Sequence, residues 1–486
     1  MKSNQAPFLF SFPKIDFSGL KFSFFNSTDI RFPTLKIGRS ESRIPIIQGG
    51  MGVGISLSGL ASAVAEEGGI GVIAANAIGM IDPNYYQDGK EANIRTLRQE
   101  IRKAREKGTG VLGVNIMVAL NDFYDLLQVS IEEKVDIIFL GAGLPLKNIP
   151  LDSIRKQKIG IVPIVSSARA ANLIFSYWKK NYNDIPDAVV VEGPKAGGHL
   201  GFSREEIDNP DFALEKIIPK VIEAVLPFEK ESGKSIPVIA AGGIFTGEDI
   251  FKFLEMGASG VQMASRFVAT HECDADQRFK EVYVNSNPED VVIISSPVGL
   301  PGRAIRNNFI EEMKSDTPRK VRCAWRCLSH CKARDARYCI SEALNNARQG
   351  KLDDGYAFAG ANVARIDKIV HVKELFSELR QEYVTVVENS TINLRNEFEK
   401  GINKLSNLVE EYKKEMDYRI KSLRMEFETM IEKGAAALKE EYRVATSKIE
   451  RIREEYSSHI ERIDEIKNQL SRFFDTSDIV LPKVLA

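Results

Sequence analysis

Cysteine is scarce: five in 486 residues, an odd number that argues against a disulfide framework. No run approaches the ~18 consecutive apolar residues of a membrane span. Residues 1–30 also lack a compact apolar stretch followed by a small-residue cleavage site. A soluble, cytoplasmic chain is the expectation. An excess of one charge is missing too, since 66 Lys and Arg balance 67 Asp and Glu. Nothing in that balance points to nucleic acid or an acidic membrane surface as the main partner. What is present is 43% hydrophobic residues, ample for a large core, and a length that allows roughly three domains.

The chain is organised around Val189-Val190-Val191-Glu192-Gly193-Pro194-Lys195-Ala196-Gly197-Gly198-His199-Leu200-Gly201. A buried-strand pattern, Ala188 to Val191, runs into a turn rich in glycine, and active sites tend to begin where a parallel strand ends. Gly197, Gly198 and Gly201 remove side chains that would hold a flat ligand and its phosphate away from the backbone N–H groups. His199 is the titratable side chain among those glycines. Its reference pKa of roughly 6.5 suits it to proton transfer or to polarising an anionic substrate. A histidine that only satisfies a buried carbonyl is the competing reading; the glycines and the strand end favour function.

From Ile44 onward a short apolar strand, a glycine-bearing turn and an amphipathic helix recur. Eight strands fall near 45–48, 70–75, 111–116, 135–140, 160–165, 187–192, 236–241 and 259–263. Helix-length segments lie between most of them, such as Leu57 to Glu67, Ile94 to Lys107, Ala168 to Trp178 and Gly247 to Met256. This spacing predicts one closed (β/α)8 TIM-type barrel over residues 41–270, with a doubly wound sheet as the alternative. Gln48-Gly49-Gly50-Met51-Gly52 then follows strand one, Ala241-Gly242-Gly243-Ile244 strand seven, and Met263-Ala264-Ser265-Arg266 strand eight. Loops after strands seven and eight of this fold commonly bind a phosphate. Gly50-Met51-Gly52-Val53-Gly54 does not give G-x-G-x-x-G in register, so no dinucleotide fingerprint is read there.

Pro45 to Gly52, Val114-Asn115-Ile116-Met117, Ala196 to Gly201, Ala240 to Ile244 and Gly260 to Met263 together resemble the nitronate monooxygenase family, formerly called 2-nitropropane dioxygenase. The FMN-dependent enoyl-acyl-carrier-protein reductases are its close relatives. The resemblance spans roughly residues 36–380, and Ser296-Pro297-Val298-Gly299-Leu300-Pro301-Gly302-Arg303 is similar to the nitronate monooxygenase branch. It implies FMN across the barrel mouth, with Gly49, Gly50 and Met51 approaching the isoalloxazine and Asn115 hydrogen-bonding to the flavin. Gly198, Gly242, Gly243, Ala264 and Ser265 would surround the ribityl phosphate, and His199 matches the family's active-site histidine. Two departures stand out: Ala264-Ser265 where Gly-Thr is usual, which keeps the hydroxyl, and Lys195 where the family is often acidic or apolar.

Residues 271–380 carry helical patterns punctuated by Pro288, Pro297, Pro301 and Pro318, and they are expected to cap the barrel mouth as a helical lid. Cys323-x3-Cys327-x3-Cys331-x7-Cys339 allows an iron–sulfur or zinc site. On one unbroken helix, however, Cys323 and Cys331 would lie about 12 Å apart along the axis, too far to share one metal. Small apolar residues on a buried helix face are therefore the favoured reading, with His330 on a different face and no metal expected.

The two ends differ from the barrel. Residues 1–40 hold 8 of the 26 phenylalanines, several in alternation, which argues for an extended arm packing on its own domain or on a neighbouring subunit. A targeting or docking role is the alternative. From about Val384 there is no proline until Pro482, and apolar residues recur every eleven: Leu394, Leu405, Met416, Phe427, Leu438, Ile449 and Ile460. That period predicts a long, nearly straight helical extension over 384–475, followed by a tail at 476–486. So narrow a stripe needs a partner. Another subunit's helix or its own second half, folded back near Gly434, meets that need, and assembly is the assigned role.

Three functions remain in view. The first is a nitronate monooxygenase acting on a small nitronate with O2. The second is an NAD(P)H-dependent FMN reductase of enoyl thioesters or quinones. The third is an assembly protein that retains a flavin barrel. FMN is expected over FAD, because no motif supplies an adenine-binding unit.

Overall fold

The apolar runs become eight parallel strands, Ile46–Gln48, Gly71–Ala74, Leu112–Met117, Ile137–Gly141, Gly160–Val165, Val189–Glu192, Val238–Ala241 and Gly260–Met263. The eighth pairs in parallel with the first, Met263 opposite Gln48, and a parallel bridge from Ile47 to Ile70 joins the first to the second. The result is a (β/α)8 barrel. Strands buried on both faces need apolar side chains at successive positions, which is why Val189, Val190 and Val191 run together. This computed structural model describes residues 30–314, 319, 321, 323, 325–329, 331, 336–433 and 438–475. Residues 1–29 of the Phe-rich arm, His330, Gly434 and the tail at 476–486 lie outside the described residues.

Helices Ser58–Glu66, Tyr85–Lys107, Phe123–Glu132, Leu151–Lys156, Ala168–Tyr182, Leu214–Ser232 and Gly247–Glu255 fill successive connections. The eighth place is taken by the first turns of the helix Val372–Glu432, whose Leu375, Phe376, Leu379 and Tyr383 are buried. A Cβ on Gly247 would strike the Leu379 carbonyl oxygen at 2.3 Å, so glycine is what lets these two helices meet. The other end of the barrel is plugged by an antiparallel pair, Leu35–Ile37 with Ser40–Ser42. Leu35 and Ile37 join Val72, Phe139 and Val190 in one buried cluster. Burial of this kind stabilises by about 1.5–3 kcal/mol per side chain. With the floor filled, the open end is the one where the strands finish.

Over that open end lie the helices Gln277–Val284 and Ile340–Arg348 and a strand pair, Val291–Ser295 with Pro301–Ile305. The pair recruits Gly198–His199 as a third strand, Gly302 standing opposite His199. This small sheet is an addition to the helical lid read from the sequence, where the prolines mask it. Pro301 opens its strand, and its carbonyl accepts the Leu200 N–H at 2.9 Å.

The cysteine segment corrects an expectation. Cys323, Cys327 and Cys331 lie outside any helix. Their loop is tied to the barrel instead: the Cys327 carbonyl accepts the Asn121 N–H at 3.0 Å, and the Ser329 N–H donates to the Ala119 carbonyl at 3.0 Å. Backbone groups engaged this way are not available for helical i→i−4 bonds.

The chain divides into two compact units, the barrel unit ending at Val386 and the second starting at Val387. In the second unit the helix Leu438–Asp475 lies against the later turns of Val372–Glu432. Tyr412 stacks on Tyr456 and His459 at 6.4 and 5.1 Å, and Phe427 meets Tyr442 at 5.4 Å. Val409, Met416 and Tyr456 are buried. Of the two partners open to the stripe, the chain's own second half occupies part of it, while Leu394 and Ile431 stay exposed. No described helix is long and apolar enough to cross a membrane.

Candidate active site

The turns that follow the barrel strands meet around one cavity of about 300 Å³. Gly49, Gly50, Met51, Gly198, His199, Gly242, Gly243, Ala264 and Ser265 all line it. Asn115 is not part of that lining. It stands directly against it: a Cβ on Gly50 would come within 2.5 Å of the Asn115 Cβ.

Two glycines shape the far wall. Gly242 and Gly243 have φ of +96° and +84°, a region that L side chains rarely adopt. Space is short as well, since a Cβ on Gly243 would lie 2.8 Å from the Lys195 Cβ, and one on Gly242 would lie 3.0 Å from the Ala196 nitrogen. The turn after strand seven therefore sits on the turn after strand six. Among the described residues, the backbone N–H groups of Gly242, Gly243 and Ala264 donate to no protein acceptor. Ser265 Oγ accepts the Gly360 N–H at 2.9 Å, and Asn362 Nδ2 donates to the Gly243 carbonyl at 2.5 Å, so residues 360–362 seal the outer edge. Unpaired backbone donors, side-chain-free turns and a hydroxyl fit a phosphate monoester such as that of FMN.

His199 faces the same space from its short strand. Its Nε2 lies 2.7 Å from Ser296 Oγ, and its ring meets Phe358 edge-on at 5.1 Å. Burial lowers its pKa to about 4, so the imidazole is neutral at ordinary pH. The Ser296 hydroxyl complements either tautomer, since it both donates and accepts. Glu192, at the end of strand six, lines the cavity too, and burial pushes its carboxyl up to about 7. Buried Arg303 donates through Nη1 to the carbonyls of Pro194 and Ala196, the latter at 2.8 Å, and so holds the glycine-rich turn to the lid.

Five residues, Glu192, Ser296, Phe358, Gly360 and Asn362, belong to the site without a strong mark in the sequence. The run Ala359-Gly360-Ala361-Asn362 is the one visible hint, small residues where close approach is needed. Lys195, one departure from the family pattern, is exposed and outside the lining.

Residues 34–382 match the family model for nitronate monooxygenase. The chain belongs to the nitronate monooxygenase family. A probable nitronate monooxygenase of Staphylococcus aureus (strain Newman) is 27% identical over 305 residues, covering 55% of this chain and 77% of the relative. Among solved structures, FabK from Thermotoga maritima aligns with a TM-score of 0.56 at 28% identity, covering 74% of this chain and 96% of that one. The nitroalkane oxidase from Streptomyces ansochromogenes shares the fold, with a TM-score of 0.54 at 22% identity over 72% of this chain and 98% of that one. Family membership makes this chain a flavin-dependent oxidoreductase. The helices beyond residue 382 lie outside the family match.

Proposed function

We propose that this member of the family binds FMN across the barrel mouth and oxidises alkyl nitronates with O2. The observation that carries the reading is the convergence of an unpaired backbone cradle and a neutral His199 in one cavity. Gly198, Gly242, Gly243, Ala264 and Ser265 would hold the ribityl phosphate. Gly49, Gly50 and Met51 would face the isoalloxazine, with Asn115 hydrogen-bonding to it. FMN supplies the electron-accepting chemistry when bound, and O2 takes the electrons onward.

His199 acts on the substrate. A neutral imidazole has one accepting and one donating nitrogen, so the ring can take a proton from a neutral nitroalkane or hold the nitro group of a preformed nitronate. Ser296 and Phe358 fix its orientation. Leu328, Ile340 and Leu344 from the lid give the cavity an apolar wall that excludes water. Glu192 stays protonated below about pH 7, which keeps a negative charge away from an anionic substrate.

The likeness to FabK, over 96% of that chain, favours a second reading in which NAD(P)H is the reductant and an enoyl thioester or quinone the acceptor. Oxygen uptake separates the two. FMN-loaded protein given an alkyl nitronate in air, with no nicotinamide nucleotide present, is expected to consume O2. Uptake that needs NADH or NADPH, with none on nitronate alone, overturns the first reading in favour of the second.

A further inference from the structure

A second pocket, of about 420 Å³, lies on the lid side, and Cys323, Cys327, Cys331 and Cys339 all line it. These are four of the five cysteines in the chain, and none of them is in a disulfide. The helix that would have spread them along its axis is absent, so the distance objection to a shared ligand no longer applies. Nor do they behave as small apolar filler. Cys323 is exposed, Cys327, Cys331 and Cys339 are only part-buried, and all four line one open pocket.

The supports are firm on both sides. Cys327 sits in the loop bonded to Asn121 and Ala119 of the barrel, and Cys339 immediately precedes the helix Ile340–Arg348. Cys327 Sγ is 3.9 Å from Ser341 Oγ, and Cys323 Sγ donates to the Trp325 carbonyl at 3.2 Å. Arg326 lines the same pocket and offers positive charge to a centre bound by four thiolates. Leu328, Ile340 and Ser341 line this pocket and the flavin-site cavity alike, so one layer of side chains separates them.

Two kinds of centre use such a set of cysteines. Among the described residues, no three Cys, His, Asp or Glu side chains converge closely enough to hold a single metal ion. A mononuclear zinc site requires that convergence, with every sulfur about 2.3 Å from one point. In an iron–sulfur cluster each cysteine ligates its own iron, so the four sulfurs stand around a volume. We propose that Cys323, Cys327, Cys331 and Cys339 ligate a [4Fe–4S] cluster beside the flavin-site cavity.

The full chain, purified without oxygen, is expected to contain about four iron and four acid-labile sulfide per molecule. Dithionite should produce a low-temperature paramagnetic resonance signal that a flavin cannot give. Cys327→Ser and Cys339→Ser should each lose the iron while keeping flavin content and circular dichroism, and Cys273→Ser, buried elsewhere, should keep it. If the serine variants fail to fold, the iron and sulfide content of the parent chain still decides. Protein without iron, both as purified and after reconstitution with ferrous iron and sulfide, overturns the proposal. Stoichiometric zinc without sulfide, or a disulfide between any two of the four, overturns it equally.

Discussion

His199 and Glu192 face one cavity, and burial moves their ionisation in opposite directions, the imidazole down to about 4 and the carboxyl up to about 7. Between those values both side chains are neutral. If His199 acts on substrate and does not build the flavin site, His199→Asn should retain FMN and its visible spectrum. Flavin reduction should then fall by roughly 10²- to 10⁴-fold, the usual range for a positioned acid or base. Reduction at the parent rate with every substrate would remove His199 from the mechanism. For Glu192 the folded protein holds its proton more tightly than the unfolded chain, whose carboxyl has the ordinary value of 4.5. Its contribution to stability is therefore fully present below 4.5 and is lost as pH rises through about 7. Glu192→Gln cannot ionise, so calorimetry without flavin should find a smaller loss of melting temperature between about pH 5 and about pH 8 than in the parent. An identical loss in both would show that Glu192 titrates normally.

At the scale of elements, the cradle depends on two turns that only glycine lets approach. Gly243→Ala would place a Cβ 2.8 Å from that of Lys195 at a φ of +84°, and a left-handed backbone costs a non-glycine residue about 1–2 kcal/mol. Gly233 has a φ of +66° with nothing nearby, so Gly233→Ala carries comparable strain without touching the cavity. Both variants should melt earlier, but only Gly243→Ala should purify with depleted flavin; equal flavin content would separate that turn from the cofactor. Arg303→Met leaves the buried carbonyls of Pro194 and Ala196 without their donor. It should destabilise the protein by about 1–3 kcal/mol in denaturant unfolding. The barrel strands were legible in the sequence because a strand covered on both faces needs an apolar run, and Gly242, Gly243 and His199 because they sit where such runs end. Ser296 was legible only as part of a motif, since its bond to His199 joins residues 97 positions apart. The cysteines were misread because helical spacing was assumed for a segment whose backbone bonds go to the barrel.

At the scale of the whole molecule, a flavin-dependent barrel carries a helical hairpin that its family match does not include. The eleven-residue period announced the hairpin's stripe, but not how far the chain's second half would cover it. On the helix face away from that stripe, Tyr418 and Met425 are 74% and 68% exposed, and we propose that this surface joins copies of the chain or binds a helical partner. Replacing both with Asp should lower the mass found by light scattering without loss of helix or flavin; an unchanged mass with no partner released would exclude that surface. The barrel's proposed activity meets its most direct test in anaerobic mixing of FMN-loaded protein with an alkyl nitronate and, separately, with NADH or NADPH, while flavin absorbance is followed. The nitronate is expected to bleach the flavin rapidly without any nucleotide, and admitted O2 to restore the colour. Bleaching by NADH or NADPH with none by nitronate would contradict nitronate oxidation as the function of this site.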